Sequence, residues 1–142
     1  MYLAIKGNHK DVVKYMITHK TPIYNKDPAH VDNSPIFFVL KARNHDIMEL
    51  FCDLGIHKFN FLTNSKGHNP LTYAASINNW DAVNYLSGRG MYTDVEDQEG
   101  LTVFFRALNA SQFDIASKLL SRGTKIDAFN RNGQTALSYF IL

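Results

Sequence analysis

Apolar residues recur along the chain in short clusters, and polar stretches separate one cluster from the next. After Asp81, the apolar residues Ala82, Val83 and Leu86 fall at positions i, i+1 and i+4, which lie on one face of a helix. The aspartate suits the start of such a helix because the N-terminal end of the helix dipole is positive. This pattern predicts an amphipathic helix of about two turns, too short to be stable alone.

A second cluster precedes this one and predicts a partner helix. It begins with Pro70, whose missing N–H group costs nothing in the first turn, and its apolar residues recur at i, i+3 and i+4 from Leu71. Asn78 and Asn79 follow, and asparagine tolerates the left-handed backbone that ends a helix. The two clusters predict two short antiparallel helices joined by a tight turn, followed by an extended polar connector.

This two-helix pattern recurs at a nearly fixed spacing. Gly67, Gly100 and Gly133 are each 33 residues apart, and similar residues follow each of them. An aspartate marks the second cluster four times, at Asp11, Asp46, Asp81 and Asp114. The first two steps between these aspartates are 35 residues, which places two extra residues in each of the connectors at 21–31 and 56–66. A period of this length indicates stacked repeats.

The period divides a single domain, 1–142, into units of approximately 1–31, 32–66, 67–99, 100–132 and 133–142. One unit cannot bury both of its apolar faces, whereas stacked units share a continuous core. The large apolar residues expected in that core are Leu71, Leu86, Phe104, Leu119, Leu120 and Leu137. We therefore expect an all-α solenoid of stacked antiparallel helix pairs.

The start of each unit closely resembles the ankyrin repeat, whose signature there is Gly-x-Thr-Pro-Leu-His-x-Ala. Residues 69–71, Asn-Pro-Leu, match best, and the family's Leu-Leu-x-x-Gly close of the second helix recurs at 119–123. The resemblance covers essentially the whole chain. It implies an ankyrin-repeat solenoid of about four to five units with extended hairpin-like connectors, the terminal units being incomplete.

The chain departs from the ankyrin pattern at several positions. The signature histidine is replaced by Phe37, Thr72, Phe105 and Ser138. The glycine between the two helices is replaced by Asn8, Arg43, Asn78 and Ser111. Trp80 and Phe113 share a position ahead of the second helices. Two interpretations stay open: drift in a divergent array whose aromatic residues pack on neighbouring units, or aromatic residues recruited to bind a partner or a neighbouring chain.

Both ends of the array lack the polar capping unit that a solenoid needs to remain soluble. Residues 1–5 align with the middle of a first helix, and residues 133–142 stop at the end of another. An open apolar face is expected at Ala136, Leu137, Phe140, Ile141 and Leu142. We expect the array to continue into further repeats, or its ends to contact other subunits.

Composition narrows the class of protein only slightly. The 142 residues are 45% hydrophobic with a net charge of +2, and residues 1–66 hold nine Lys/Arg against six Asp/Glu. No continuous basic stripe with stacking aromatics occurs, so nucleic acid is not expected as a partner. No leader or membrane-length apolar run is seen, and one unpaired cysteine, Cys52, fits a reducing compartment. We expect an intracellular, cytoplasmic protein without membrane insertion.

Candidate chemistry points away from catalysis and metal binding. His9 and His45 lie in successive interhelical turns, which stacking would separate by about 10 Å, too far for shared ligation. Cys52 is expected to be a buried structural thiol. An acidic cluster lacks the glycine and terminal glutamate of a calcium loop, and is expected to be a solvated tip: Asp94, Glu96, Asp97 and Glu99. We expect no catalytic residues, no metal site and no cofactor.

The resemblance implies a protein partner bound by the first helices and the connector tips. By register, the helix positions are Lys6, Lys41, Ser76, Ile77, Asn109 and Ala110. The tip positions are His30, Val31, Ser65, Lys66, His68, Gln98, Glu99, Leu101, Arg131, Asn132 and Gln134. Lys6 and Lys41 suggest a partner with an acidic stretch near the first units. A non-catalytic scaffold is the leading hypothesis; a structural subunit packed by its open ends and an interaction arm of a larger protein are the alternatives, and an enzyme is least favoured.

Overall fold

A computed structural model describes residues 1–19 and 34–141 of the chain. The helices are α1 (Tyr2–Lys6), α2 (Lys10–Thr18), α3 (Pro35–Lys41), α4 (His45–Asp53), α5 (Pro70–Ser76), α6 (Trp80–Gly88), α7 (Val103–Asn109), α8 (Phe113–Ser121) and α9 (Ala136–Ile141). A short 3-10 helix spans Ile56–Phe59. In the described ranges the only β-type pairing is an isolated bridge between Phe129 and Thr135. The expected all-α architecture is confirmed.

The helices form two layers. We call α1, α3, α5, α7 and α9 the first helices, and α2, α4, α6 and α8 the second helices. Each first helix from α1 to α7 packs against the second helix that follows it in the chain. In addition, α1, α3, α5 and α7 pack on one another in succession, α2 packs on α4, and α6 packs on α8. The contacts therefore build a stack in which each unit touches its neighbours.

The turn between the two helices of a unit uses a left-handed residue each time. Asn8, Arg43, Asn78 and Ser111 have φ of 56°, 54°, 55° and 56°, at the positions where the ankyrin pattern has glycine. After Asn78, the N–H of Asn79 donates to the carbonyl of Ala74 at 2.8 Å, which closes the end of α5. The predicted helix end at Asn78 and Asn79 is thus confirmed, and the same backbone turn recurs without glycine in the described units.

The core lies between the two helix layers. Of the expected core residues, Leu71, Leu86, Phe104 and Leu119 are buried, whereas Leu120 is 37% exposed and Leu137 is 71% exposed. The prediction for Leu120 was wrong because consecutive helical residues point about 100° apart, and Leu119 takes the inward position. The prediction that Leu137 is buried was wrong because no later helix of the described chain covers α9. Ala136 is buried, and the side chains of Phe140, Ile141 and Leu142 lie outside those described.

The connector between Gly55 and Gly67 contains two more residues than the one between Gly90 and Gly100. The 3-10 helix at Ile56–Phe59 lies in this longer connector, and Phe59 is fully buried. Its ring lies 6.1 Å from that of Phe51, between centroids. The extra length therefore forms a turn that adds an aromatic side chain to the core. The connector at 21–31 lies outside the described residues.

Candidate functional site

The last residues of four first helices form an aligned row, which we call the helix-end row: Lys6, Lys41, Ser76 and Asn109. Since these residues occupy equivalent positions in stacked helices, they lie along one side of the stack. Lys6, Lys41 and Asn109 are exposed and Ser76 is half-buried. The next residues after Ser76 and Asn109, Ile77 and Ala110, are also half-buried. The positions predicted on the helices are thus brought together as one surface.

Each described connector tip is folded around an asparagine or aspartate side chain three residues before its glycine. Oδ1 of Asn64 accepts from the N–H groups of residues 66 and 68 at 3.0 and 2.9 Å. Oδ1 of Asp97 accepts from residues 99 and 101 at 2.9 and 3.0 Å, and Oδ1 of Asn130 from residues 132 and 134 at 2.9 and 3.0 Å. The glycine of each tip has φ near 70°, a backbone region that L side chains rarely adopt.

Neighbouring tips touch one another. The N–H of Gln98 donates to the carbonyl of Lys66 at 3.2 Å, and the Gln98 side-chain amide donates to the carbonyl of Ser65. At Gly100, a Cβ atom would lie only 2.6 Å from the backbone nitrogen of Arg131. The tips therefore pack side by side along the stack. Their exposed residues include predicted positions Ser65, Lys66, Gln98, Glu99, Arg131 and Asn132, while Leu101 and Gln134 are half-buried. His30 and Val31 lie outside the described residues.

His68, a predicted tip contact, is buried instead. Its Nε2 lies 3.3 Å from Oδ2 of Asp97, which folds the next tip along the stack. The same Oδ2 accepts from Arg106, with Nε at 3.1 Å and Nη2 closer still. Nη2 of Arg106 also lies 3.4 Å from Oε2 of Glu99. We call these four residues the tip cluster; it links two adjacent tips to α7.

The tip cluster corrects the expectation of a solvated acidic tip. Asp94, Glu96 and Glu99 are exposed, but the Asp97 side chain is fully buried. Burial alone would raise the pKa of Asp97; the hydrogen bonds from Arg106 and from the backbone N–H groups of residues 99 and 101 outweigh it and hold this pKa below its usual value. Asp97 is therefore an ionised structural carboxylate.

Burial also lowers the pKa of His68, although the charge of Asp97 opposes this effect. A neutral His68 can donate from Nε2 to Asp97, which leaves Nδ1 as an acceptor. That Nδ1 atom is buried and has no hydrogen-bond partner in the described part of the chain. A proton on Nδ1 would thus add a buried donor without an acceptor, which reinforces the preference for neutral imidazole.

A small cleft opens between α5 and α7 beside the tip cluster. Its volume is about 90 Å³. Ser76 and Asn109 from the helix-end row line it, together with Leu101 from a tip and Ala110. Four positions predicted independently on helices and tips thus meet at one concavity. Arg106, which the sequence interpretation did not select, forms part of its wall.

The remaining residues singled out from the sequence differ in burial. Cys52 is buried, and burial raises the pKa of its thiol to about 11, so it is protonated at neutral pH. In the described ranges no three His, Cys, Asp or Glu side chains are grouped so that they could hold a metal ion. Trp80 is half-buried against the core, whereas Phe113 is exposed. The helices of residues 1–19 and 34–141 are too short or too polar to traverse a bilayer.

The residues that sequence interpretation missed carry a periodic signal. Asn64, Asp97 and Asn130 are 33 residues apart, three positions before the repeated glycines. Asparagine and aspartate with a glycine close behind favour such turns, so these tips were predictable. Arg106 has no such signal, because its equivalents in the preceding units are Phe38 and Tyr73.

Comparison with known proteins decides the family. The family model of ankyrin repeats, in three copies, matches residues 1–97. The chain belongs to the ankyrin repeat family. Ankyrin repeats generally mediate protein–protein interaction, and they are typically non-catalytic.

A putative ankyrin repeat protein of Fowlpox virus (strain NVSL) is 27% identical to this chain over 122 residues. The match covers 84% of this chain and 35% of the viral protein. The chain therefore spans about a third of the length of this ankyrin repeat relative.

Proposed function

We propose that this ankyrin repeat chain is a non-catalytic scaffold that binds a partner protein along the helix-end row and the connector tips. Membership of the ankyrin repeat family supports a protein partner. The choice of surface rests on one observation: four first-helix ends are aligned beside a row of packed tips. The predicted positions that lie on it are mostly exposed or half-buried. Cys52, a free thiol, fits action inside the cell.

Charge gives the partner an orientation. Lys6 and Lys41 are exposed at the ends of α1 and α3, while the equivalent positions in the next units are Ser76 and Asn109. The surface is thus basic near the first two units and uncharged beyond them along the helix-end row. We propose that an acidic segment of the partner lies over Lys6 and Lys41, because opposite charges steer association and fix register.

The test is a charge reversal on this surface with a matched reversal on the second helix. Lys6→Glu with Lys41→Glu is compared with Lys10→Glu and Lys14→Glu on α2, whose lysines are also exposed. The probe is a fluorescently labelled glutamate-rich peptide, titrated at low and at moderate salt. We expect the first pair to weaken binding by about tenfold or more and to flatten its salt dependence, while the α2 pair changes both less. Equal effects of the two pairs, or no binding by the unaltered chain, would contradict the proposal.

A structural role as a packed subunit or as an arm of a larger protein is the second candidate. Leu3 on α1 is 77% exposed and Leu137 on α9 is 71% exposed, and both are large apolar side chains. The 35% coverage of the Fowlpox virus relative fits a longer array. Sedimentation of the chain tests the packed-subunit form: self-association that Leu137→Glu abolishes favours it, and a monomer at all concentrations with unaltered peptide binding favours the scaffold.

A further inference from the structure

Arg106 gives the cleft between α5 and α7 a fixed hydrogen-bond donor. Its Nε and Nη2 atoms both donate to Oδ2 of Asp97. Asp97 is itself held by the backbone N–H groups of residues 99 and 101. The guanidinium plane is therefore oriented before any ligand arrives, which reduces the ordering cost of binding.

One edge of this guanidinium is unused. Nη1 of Arg106 donates to no acceptor among the described residues; the side chain is 19% exposed, and Arg106 is one of the residues that line the cleft. Hydrogen-bond acceptors lie nearby. The Glu99 side chain is 71% exposed, and the Ser76 hydroxyl, which donates to the carbonyl of Tyr73 at 2.7 Å, keeps its own oxygen available to accept.

The charges around the cleft argue against an ionic ligand. One guanidinium, Arg106, faces two carboxylates, Asp97 and Glu99, so a further carboxylate or a phosphate meets a net negative site. An ammonium group would instead lie against the unused edge of the guanidinium. A neutral group that both accepts and donates avoids both repulsions. The side-chain carboxamide of asparagine or glutamine is such a group.

The size of the cleft agrees with one such side chain. Its volume of about 90 Å³ is roughly that of three water molecules in the liquid. Ala75, Phe105 and Ala110 supply apolar walls for a methylene stem. Asn109, whose side-chain amide makes no hydrogen bond in the described ranges, lies at the rim and is exposed.

We propose that this cleft selects an asparagine or glutamine side chain of the partner protein. Arg106 Nη1 donates to the amide oxygen, and Glu99 accepts from the amide N–H group. The inference rests on the proposed function, since it assumes that the partner lies on this surface. The contact lies in the units at 67–99 and 100–132, apart from the acidic segment proposed to bind near Lys6 and Lys41.

The experiment is a titration of the whole chain with three matched blocked amino acids, followed by backbone amide chemical shifts. The probes are N-acetylglutamine methylamide, N-acetylglutamate methylamide and N-acetylleucine methylamide. We expect the glutamine probe to shift Ser76, Leu101 and Asn109, with an affinity about threefold or more above those of the other two, the effect of one neutral hydrogen bond. Ala110→Leu fills the cleft and is expected to abolish these shifts while leaving the rest of the spectrum in place.

A second variant tests the polarity directly. Glu99→Gln removes an exposed carboxylate that repels the glutamate probe. The affinity of the glutamate probe is therefore expected to rise by about threefold or more relative to that of the glutamine probe. Equal binding of the three probes, shifts that persist in Ala110→Leu, or no response to the glutamine probe at its solubility limit would each overturn the inference. Lys6→Glu with Lys41→Glu is expected to leave the glutamine response unchanged, so failure of the acidic-peptide test and failure of this one are separate results.

Discussion

The side-chain amide of Asn79 donates from Nδ2 to the carbonyl of Leu40, in the preceding unit, at 3.0 Å. Its Oδ1 accepts from the N–H of Ala82 at 3.3 Å, in the first turn of α6. Asn79 is buried, so water cannot replace either bond. One residue thus caps its own helix and ties that helix to the unit before it. Asn44 does the same in a more exposed setting, through Asn8 at 2.7 Å and Ile47 at 3.1 Å.

Replacement of Asn79 by alanine is expected to lower the free energy of unfolding by about 2–4 kcal/mol, because the helix cap is lost and the Leu40 carbonyl loses a buried donor. Asn44→Ala is the matched control and is expected to cost about 1 kcal/mol. Asn79→Asp keeps the cap acceptor but sets a buried carboxylate oxygen against the Leu40 carbonyl, so it should lower the free energy of unfolding at least as much as Asn79→Ala. Urea unfolding followed by circular dichroism measures all three. Equal losses for Asn79→Ala and Asn44→Ala would show that burial of this bond is unimportant.

The ion pair of Asp97 with Arg106 is expected to matter far more than that of Asp53 with Arg89. The Asp97 side chain is fully buried, whereas Asp53 and Arg89 are 65% and 43% exposed. Asp97→Asn keeps the oxygen that folds the tip but removes the charge, and should lower the free energy of unfolding by about 2 kcal/mol. Asp53→Asn should change it by less than about 0.5 kcal/mol. High salt should leave the difference largely intact, because buried pairs are poorly screened.

Stability is expected to fall on acidification, and His68 accounts for the first part of the loss. Its pKa is lowered in the folded chain, so the unfolded chain binds the proton more readily once the pH falls below the ordinary value of about 6.5. Asp97 acts in the same direction at lower pH. Its pKa is also lowered, so its contribution is complete above the ordinary value of about 3.9 and is lost as the pH falls through the folded value.

Urea unfolding at a series of pH values tests both residues. His68→Gln is expected to flatten the dependence on the acid side of about pH 6.5, relative to the unaltered chain. Asp97→Asn is expected to flatten the pH dependence of the free energy of unfolding below about pH 4. A His68→Gln profile parallel to that of the unaltered chain would exclude His68 as the group responsible.

Ser111→Gly is expected to stabilise the chain. Ser111 has φ of 56°, and its exposed side chain makes no hydrogen bond in the part of the chain that the structure describes. Relief of the left-handed strain should exceed the entropy cost of glycine by about 0.5–1 kcal/mol, a rise in Tm of about 2–4 °C. Arg43→Gly is the control: its guanidinium donates to the carbonyls of Ile77 at 3.1 Å and Asn78 at 3.4 Å. Losing these bonds should cancel the gain, and a rise as large as that of Ser111→Gly would refute this account.

The helix stack followed from the sequence because its cause is local and periodic. Each signal concerns only a few neighbouring residues: Pro70 begins a helix, the apolar spacing from Leu71 defines its buried face, and Asn78 ends it. The same signals recur with the period of the repeat. The tip cluster did not follow, because the burial of Asp97 depends on His68 of the preceding tip and on an arginine that replaces an aromatic residue. The prediction that Leu120 is buried was wrong for a related reason. Leu119 and Leu120 both fit the family pattern, and only the packed stack shows which of the two faces inward.

The tips have a further consequence for how this surface can diversify. In each tip the backbone hydrogen bonds are completed by one side-chain oxygen, which asparagine supplies at Asn64 and Asn130 and aspartate supplies at Asp97. A single substitution at such a position changes the charge by one while the main chain keeps its path. Asp97 is tied to a cation, and the Asn130 amide is buried and bonded to Gln134, so Asn64 is the site where the array can evolve a new electrostatic preference at the least cost to its architecture.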